Sequence, residues 1–260
     1  MALRVQALLF DLDGTLVDHD TAAAAALDEA LQTIAGLPDL DREHLHRRWA
    51  ELEQHTMDRY LAGELTFTGQ RRLRVISLAA ELGLGAWDDT QADTWFAGYL
   101  RHYEAAWRAY QDVRPALDVL ARHHPHVRLG VLTNGDAEQQ RRKLTDVGLA
   151  ADLPDVIVSS EAAAAKPSPA IFEHACDRLQ LHADQVAYVG DRLQTDAIPA
   201  VKAGMHGIWL NRRGDPTPTD LLTIQTLHDI PALLTDLDGT PPPATSRPGS
   251  SSRPAPIGDS

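Results

Sequence analysis

The stretch LLFDLDGTLVD, residues 8–18, sets an apolar run against two carboxylates one residue apart, Asp11 and Asp13, followed at once by Gly14 and Thr15. The run begins at Val5 and is almost continuously apolar, as a strand covered on both faces by helices should be. The pentad DLDGT returns at 236–240, where it follows the helical-looking IPALLTDL and runs into three prolines. No strand presents that second copy, so it reads as a chance echo. The first copy stands at the C-terminal end of a strand, the edge at which open α/β sheets bind their ligands.

Four further β-prone runs follow: VRLGVL (127–132), DVIVSS (155–160), VAYVG (186–190) and GIWLN (207–211). Helical segments separate the later ones, among them DAEQQRRKLTDVG, which ends in Gly148, and TDAIPAVKAG, which ends in Gly204. This alternation predicts an α/β fold with an open, doubly wound, mostly parallel sheet. From about Val17 to Gln111 the rhythm breaks and helical periods alone appear. An inserted α-helical cap over the end of the sheet is expected, with VDHDT and QDVRP as hinge candidates. The expected division is a discontinuous core, 1–17 and 111–235, a helical cap, 18–110, and a disordered tail, 236–260, rich in Pro, Ser and Gly.

A net charge of −13 over 260 residues argues against nucleic acid or an anionic membrane as partner, since both call for a basic surface. Hydrophobic and charged contents of 43% and 23% are those of a soluble globular chain. The single cysteine, Cys176, permits no intrachain disulfide and lies in a helical segment, where a structural thiol is the expectation. The N-terminal apolar run is too short for a secretion signal or a membrane span, so a cytoplasmic location is expected.

Parallel strands bring three more polar clusters to the edge that carries Asp11 and Asp13. VLTNGD sets Thr133 and Asn134 after the second strand, AAAAKPSPAIF sets Lys166 after the third, and VGDRLQTD sets Asp191 after the fourth with Asp196 five residues on. Packed carboxylates repel unless they are protonated or bridged by a cation, and an all-oxygen set suits a hard ion such as Mg²⁺. A lysine and a hydroxyl facing that ion suggest a bound anion, with phosphate the natural guest.

The four clusters in this order resemble the motifs of the haloacid dehalogenase superfamily, in its phosphatase branch with a helical cap inserted after the first motif. The resemblance spans about residues 5 to 235 and implies a Rossmann-like core. It implies that Asp11 is the nucleophile and becomes an aspartyl-phosphate. It makes Asp13 the acid that protonates the leaving oxygen and the base that then activates water. Thr133 and Lys166, with backbone N–H groups around Asp13 and Asn134, would hold the phosphoryl oxygens. Mg²⁺ would be held by the Asp11 carboxylate, the Asp13 carbonyl and Asp191, with Asp196 supporting that shell or orienting Lys166. An isolated Asp has a pKa of about 3.9, so the acid role of Asp13 leads us to expect a site that raises it. Arg192 departs from the small residue that commonly follows the Gly-Asp of the last motif.

Each feature also has a plain reading. Asp11 and Asp13 could end a strand in a turn, Thr133 and Asn134 could form a turn and cap, and Lys166 could be a solvated loop lysine. Asp191 and Asp196 could be turn and N-cap residues. The cluster His123, His124 and His126 reads as a solvated loop rather than a metal tract. The arginines of GQRRLR (69–74) read as a solvated helix face, with contact to a second anionic group of a substrate as the alternative. The functional expectation is a Mg²⁺-dependent phosphatase acting on a small phosphorylated metabolite, as monomer or homodimer. A dehalogenase would not need Asp13, and a phosphonate hydrolase of the family would need a cap lysine, which 17–111 lacks. A phosphosugar mutase and a non-catalytic binding protein on the same scaffold remain as alternatives. GIWLNRRG (207–214) is similar to segments in sugar-phosphate and nucleotide phosphatases of that family.

Overall fold

A computed structural model of the chain describes residues 3–34, 41–216 and 220–234. Its six strands form one sheet in which all neighbours run parallel, in the order β3 (Asp155–Val158), β2 (Arg128–Thr133), β1 (Ala7–Phe10), β4 (Val186–Gly190), β5 (His206–Leu210), β6 (Leu222–Ile224). β1 is buried throughout, and its side chains serve two cores. Leu8 and Phe10 join one apolar cluster, whereas Ala7 and Leu9 join the other. That division follows from the two-residue period of a strand, and the continuous apolar run follows from helices on both faces.

Helices α5 (Val113–His123) and α6 (Ala137–Asp146) contribute Val113, Leu117, Leu120 and Leu144 to the first cluster. Helices α8 (Pro169–Leu179) and α9 (Ile198–Lys202) contribute Ile171, Phe172, Ala175 and Ala200 to the second. The third expected run is shorter than its apolar letters suggest, because Ser159–Ala162 turns into a short helix, α7, directly after Val158. β6 lies outside the expected set, since three residues are too few to announce a strand. The helical segment expected over 195–204 is entered through a π-helical turn (Leu193–Ala197) that precedes α9.

Four helices, α1 (His19–Gln32), α2 (Arg42–Leu61), α3 (Phe67–Glu81) and α4 (Asp89–Ala105), occupy the interval after β1. Each begins at a side-chain cap: Asp18, Asp41, Thr66 and Asp88 accept from backbone N–H groups of the first turn. α1 packs on α4, and α3 packs on both α2 and α4. Both crossings between this insert and the sheet lie side by side. Asp18 N–H donates to Arg108 O at 2.9 Å, and Tyr110 N–H donates to Leu16 O at 3.0 Å. The Arg212 guanidinium stacks on Tyr110 at 4.0 Å and donates to both Thr15 O and Asp112. The second DLDGT and the tail expected to be disordered lie outside the described residues. Among the described residues, no helix is long and apolar enough to cross a membrane.

Candidate active site

β2 and β3 lie to one side of β1, and β4 to the other, so the sheet order reverses beside β1, where an open α/β sheet leaves a crevice. Asp11 follows β1, Asp191 follows β4, and Thr133 ends β2, so three adjacent strands deliver them to one edge. Lys166 reaches the same point from the α7–α8 connection. Its Nζ lies 2.5 Å from Asp11 Oδ1 and 2.7 Å from Asp196 Oδ1. Tyr188, from β4, donates its hydroxyl to Asp196 at 3.1 Å. Asp196 is also fixed by the Arg192 N–H, 3.0 Å from Oδ2.

Gly14 lets the chain turn back over this cluster. Its φ of +87° lies in the left-handed region, and a Cβ there would meet Asp191 Oδ2 at 2.5 Å. Thr15 Oγ1 accepts the Asp191 N–H at 3.1 Å and lies 3.3 Å from its carboxylate. The Trp209 indole N–H donates to Asp191 O at 2.9 Å. Asn134 spends its side chain on the lysine loop, donating to Lys166 O and accepting the Lys166 N–H, both at 2.9 Å.

Burial is the largest influence on Asp11. With Asp196 and Asp191 nearby it outweighs Lys166 and pushes the carboxyl up to about 7. Burial and Asp196 likewise push Asp191 up to about 6. Lys166 moves up, because Asp11 and Asp196 overcome its burial, so it stays a cation. Asp11, Asp191 and Asp196 can each bring one oxygen within 4.8 Å of the others, a grouping that could share one ion. Three clustered carboxylates, two of them driven towards protonation by burial and by Asp196, outnumber the cation paired with them, Lys166, and a hard divalent ion of the Mg²⁺ type fits that set.

Asp13 overturns the expectation of a raised pKa. Burial alone would raise it, but Lys143, His19 and Gln140 together hold the carboxyl below its usual range. Lys143 Nζ is 2.5 Å from Asp13 Oδ1, Gln140 Nε2 donates to Oδ2 at 3.0 Å, and His19 Nδ1 lies 4.0 Å away. Gln140 also donates to Thr133 Oγ1 at 3.0 Å. Gln140 and Lys143 escaped the sequence reading, and His19 stood in it only within the hinge candidate VDHDT. No sequence signal marked Gln140 or Lys143: α6 is very polar, and only the fold shows that Gln140, Lys143 and Leu144, at spacings of three and four, share its buried face.

The insert closes the space above. Glu53 of α2 accepts from His19 Nε2 at 3.0 Å and from Arg74 at 2.8 Å. Arg192 donates to Gln54 at 2.6 Å, joining the last motif to α2. A cavity of about 390 Å³ is lined by Asp11, Asp13, Thr133, Lys166 and Arg192 on the sheet side and by Glu53 and Met57 from the insert. The solvated-face reading of GQRRLR fails for two of its arginines. Arg72 pairs with Asp89 and Asp93 on the surface, but Arg74 is buried and Arg71 lines a second chamber. His124 is likewise buried rather than solvated, and among the described residues no grouping able to share an ion forms around it. Cys176 packs half-buried against the second core cluster, where burial raises its thiol pKa.

Residues 5–204 match the model of the haloacid dehalogenase-like hydrolase family, and the chain belongs to that family. It is 28% identical to the N-acylneuraminate-9-phosphatase of Mus musculus, over 90% of this chain and 96% of that one. It is 31% identical to the phosphoglycolate phosphatase of Rhodospirillum rubrum, over 94% and 95% of the two chains. The crystal structure of the putative HAD-hydrolase YfnB from Bacillus subtilis, bound to magnesium, superposes with a TM-score of 0.76 at 23% identity. It covers 90% of this chain and the whole of that one, a likeness of fold.

Proposed function

We propose that the protein is a Mg²⁺-dependent phosphatase that hydrolyses a small phosphorylated metabolite, of the sugar-phosphate or nucleotide class, through an aspartyl-phosphate. The observation that carries this reading is the meeting of Asp11, Asp13, Thr133 and Lys166 on one cavity from three separate strand ends and loops, with Asp191 against Asp11 and Asp196. The similarity to relatives named as phosphatases supports phosphomonoester hydrolysis.

Asp11 attacks phosphorus, and the bond to the leaving oxygen breaks with its electron pair on that oxygen, which takes a proton from Asp13. The Asp13 carboxylate then takes a proton from water, whose oxygen attacks phosphorus and frees Asp11 and inorganic phosphate. Lys166 and Thr133 hold the phosphoryl oxygens. Asp11, the Asp13 carbonyl and Asp191 would hold Mg²⁺, which supplies the positive charge that lets a carboxylate approach a phosphate dianion. Asp13 begins as a carboxylate under the influence of Lys143. An arriving dianion opposes that influence, since a like charge raises proton affinity, and so prepares Asp13 for its acid role.

Residues 18–110 act as a cap that closes over the substrate. Within it, Glu53 ties Arg74 of α3 to His19 at the start of α1, and the paired crossings at Asp18 and Tyr110 serve as the hinge. Hydrogen exchange across 18–22 and 109–114, with and without a phosphate mimic, tests closure; unchanged protection in both segments sinks it.

The function is tested by phosphate release from a panel of phosphorylated metabolites, with Mg²⁺ and with chelator. Release that depends on Mg²⁺ is expected. Isomerisation of glucose 1-phosphate without release would establish the mutase instead, and no turnover of any ester would leave a binding protein.

A further inference from the structure

A second chamber, of about 90 Å³, adjoins the cavity above Asp11 and shares Asp13, His19, Glu53, Met57 and Asn134 with it. Its other walls come from α3, α4 and α6, and its charges do not balance. Lys143 is spent on Asp13 at 2.5 Å. Arg74 is spent on Glu53 at 2.8 Å and on Gln70 at 2.9 Å, and His19 on Glu53 at 3.0 Å. Arg71 is left: among the described residues it makes no hydrogen bond and no ion pair, and the carboxylates of Asp136 and Glu53 act on it only from a distance. Its guanidinium lies over the Phe67 ring at 4.3 Å and the Phe96 ring at 5.1 Å. Aromatic faces orient a cation, but they cannot cancel its charge as a carboxylate does.

Among the described residues, two buried polar atoms in the same walls also lack partners. Arg74 is 3% exposed, and its Nε has no acceptor. Gln140 is equally buried, and its Oε1 has no donor. Buried polar groups in native proteins are nearly always paired, so an orphaned donor and an orphaned acceptor around one chamber describe a missing guest. It must offer an anionic acceptor to the arginines and a hydroxyl or N–H to Gln140.

We infer that this chamber seats a carboxylate carried by the substrate at the end remote from its phosphate, with Arg71 as its partner and Arg74 Nε beside it; the inference rests on the phosphatase reading above. A guanidinium fork suits a planar carboxylate, which it meets with two parallel hydrogen bonds. A second phosphate is the poorer match, because Asp13 and Glu53 stand in the same walls and would repel a dianion. Burial and the neighbouring Arg74 charge press the Arg71 pKa down, as befits a cation awaiting an anion. Asp11 thus selects for phosphorus at one end, while Arg71 selects the substrate class, phosphorylated hydroxy acids, at the other.

The test is a series of straight-chain ω-phosphooxy carboxylic acids of increasing length, each beside its primary amide and its bisphosphate counterpart, with p-nitrophenyl phosphate as a carboxylate-free ester. The native protein should hydrolyse at least one acid with a kcat/KM about tenfold or more above that of its amide, the worth of a charge-assisted hydrogen bond. Arg71→Gln should bring that ratio near unity, chiefly through KM, and Arg71→Lys should keep part of it. Equal rates for acid and amide at every length in the native protein overturn the inference, without depending on any variant folding. A preference that survives Arg71→Gln, or a bisphosphate that outruns the acid, does the same. If p-nitrophenyl phosphate and every other ester stay intact, the phosphatase reading itself falls and takes this inference with it.

Discussion

Lys143 Nζ sits 2.5 Å from Asp13 Oδ1 across 130 positions of sequence, with the lysine side chain almost wholly buried. The amine also reaches the Tyr103 hydroxyl at 3.1 Å, so one cation joins α6, the β1 loop and α4. Asp13 is thereby held as a carboxylate, and in the proposed mechanism Lys143 acts through it as a positioning residue. Lys143→Met should lower kcat by about 10- to 100-fold, the worth of one charged hydrogen bond. The limb of the pH–rate profile governed by Asp13 should move to higher pH, because the largest influence lowering its pKa is gone. Lys143→Arg should hold the limb near its native position. A limb that stays put in Lys143→Met refutes the coupling.

Asp11→Asn replaces a buried carboxylate by an isostere whose amide oxygen can still accept from Lys166. It also removes one negative charge from a cluster in which burial and two acidic neighbours already push Asp11 up to about 7. The metal-free melting temperature should therefore hold or rise. Turnover should fall by at least about a thousandfold, as with other lost nucleophiles. Phosphate release and thermal unfolding in chelator check both halves; a variant with most of its activity removes Asp11 from the mechanism.

The large features were legible because they are local or periodic. Five strands and four insert helices announced themselves by continuous apolar runs or helical spacing, and each site cluster follows a strand end. The network around Asp13 was not legible, because Lys143, Gln140 and His19 lie on elements whose sequences carry no sign of what they face. α6 looks like a solvated helix until the fold turns Gln140 and Lys143 inward. Likewise Arg71 and Arg74 differ from Arg72 only in the side of α3 they occupy, which three arginines around a single Leu73 cannot reveal.

Gly14 is where backbone geometry and the acidic cluster meet. Gly14→Ala must hold a left-handed φ of +87°, costing about 1–2 kcal/mol. It must also displace the Asp191 carboxylate, which its Cβ would approach to 2.5 Å. A displacement of about 1 Å in a catalytic group can cost about a hundredfold in rate, and that is the expected loss in kcat/KM. Titrating activity and melting temperature with Mg²⁺ should give a weaker apparent affinity than in the native protein. Unchanged Mg²⁺ dependence would detach Asp191 from ion binding.

His19 and Glu53 should make stability depend on pH. Burial would lower the His19 pKa, but Glu53, 3.0 Å from Nε2, and Asp13 raise it above its ordinary 6.5. A raised pKa means that the folded state holds the proton more tightly than the unfolded chain. The stabilisation is then complete below about pH 6.5 and disappears as pH climbs through the folded value. Glu53 has the opposite sign, but Arg74 and His19 hold its pKa so low that it stays ionised across this range. Urea unfolding at pH 6 and pH 9 should find the native protein less stable at the higher pH. His19→Gln should cost about 1–3 kcal/mol at pH 6, where it removes a hydrogen bond to a charged group, and much less at pH 9. A native protein and a variant that lose equal stability between the two pH values would show that the ring is neutral throughout, and that Glu53 leans on Arg74 alone.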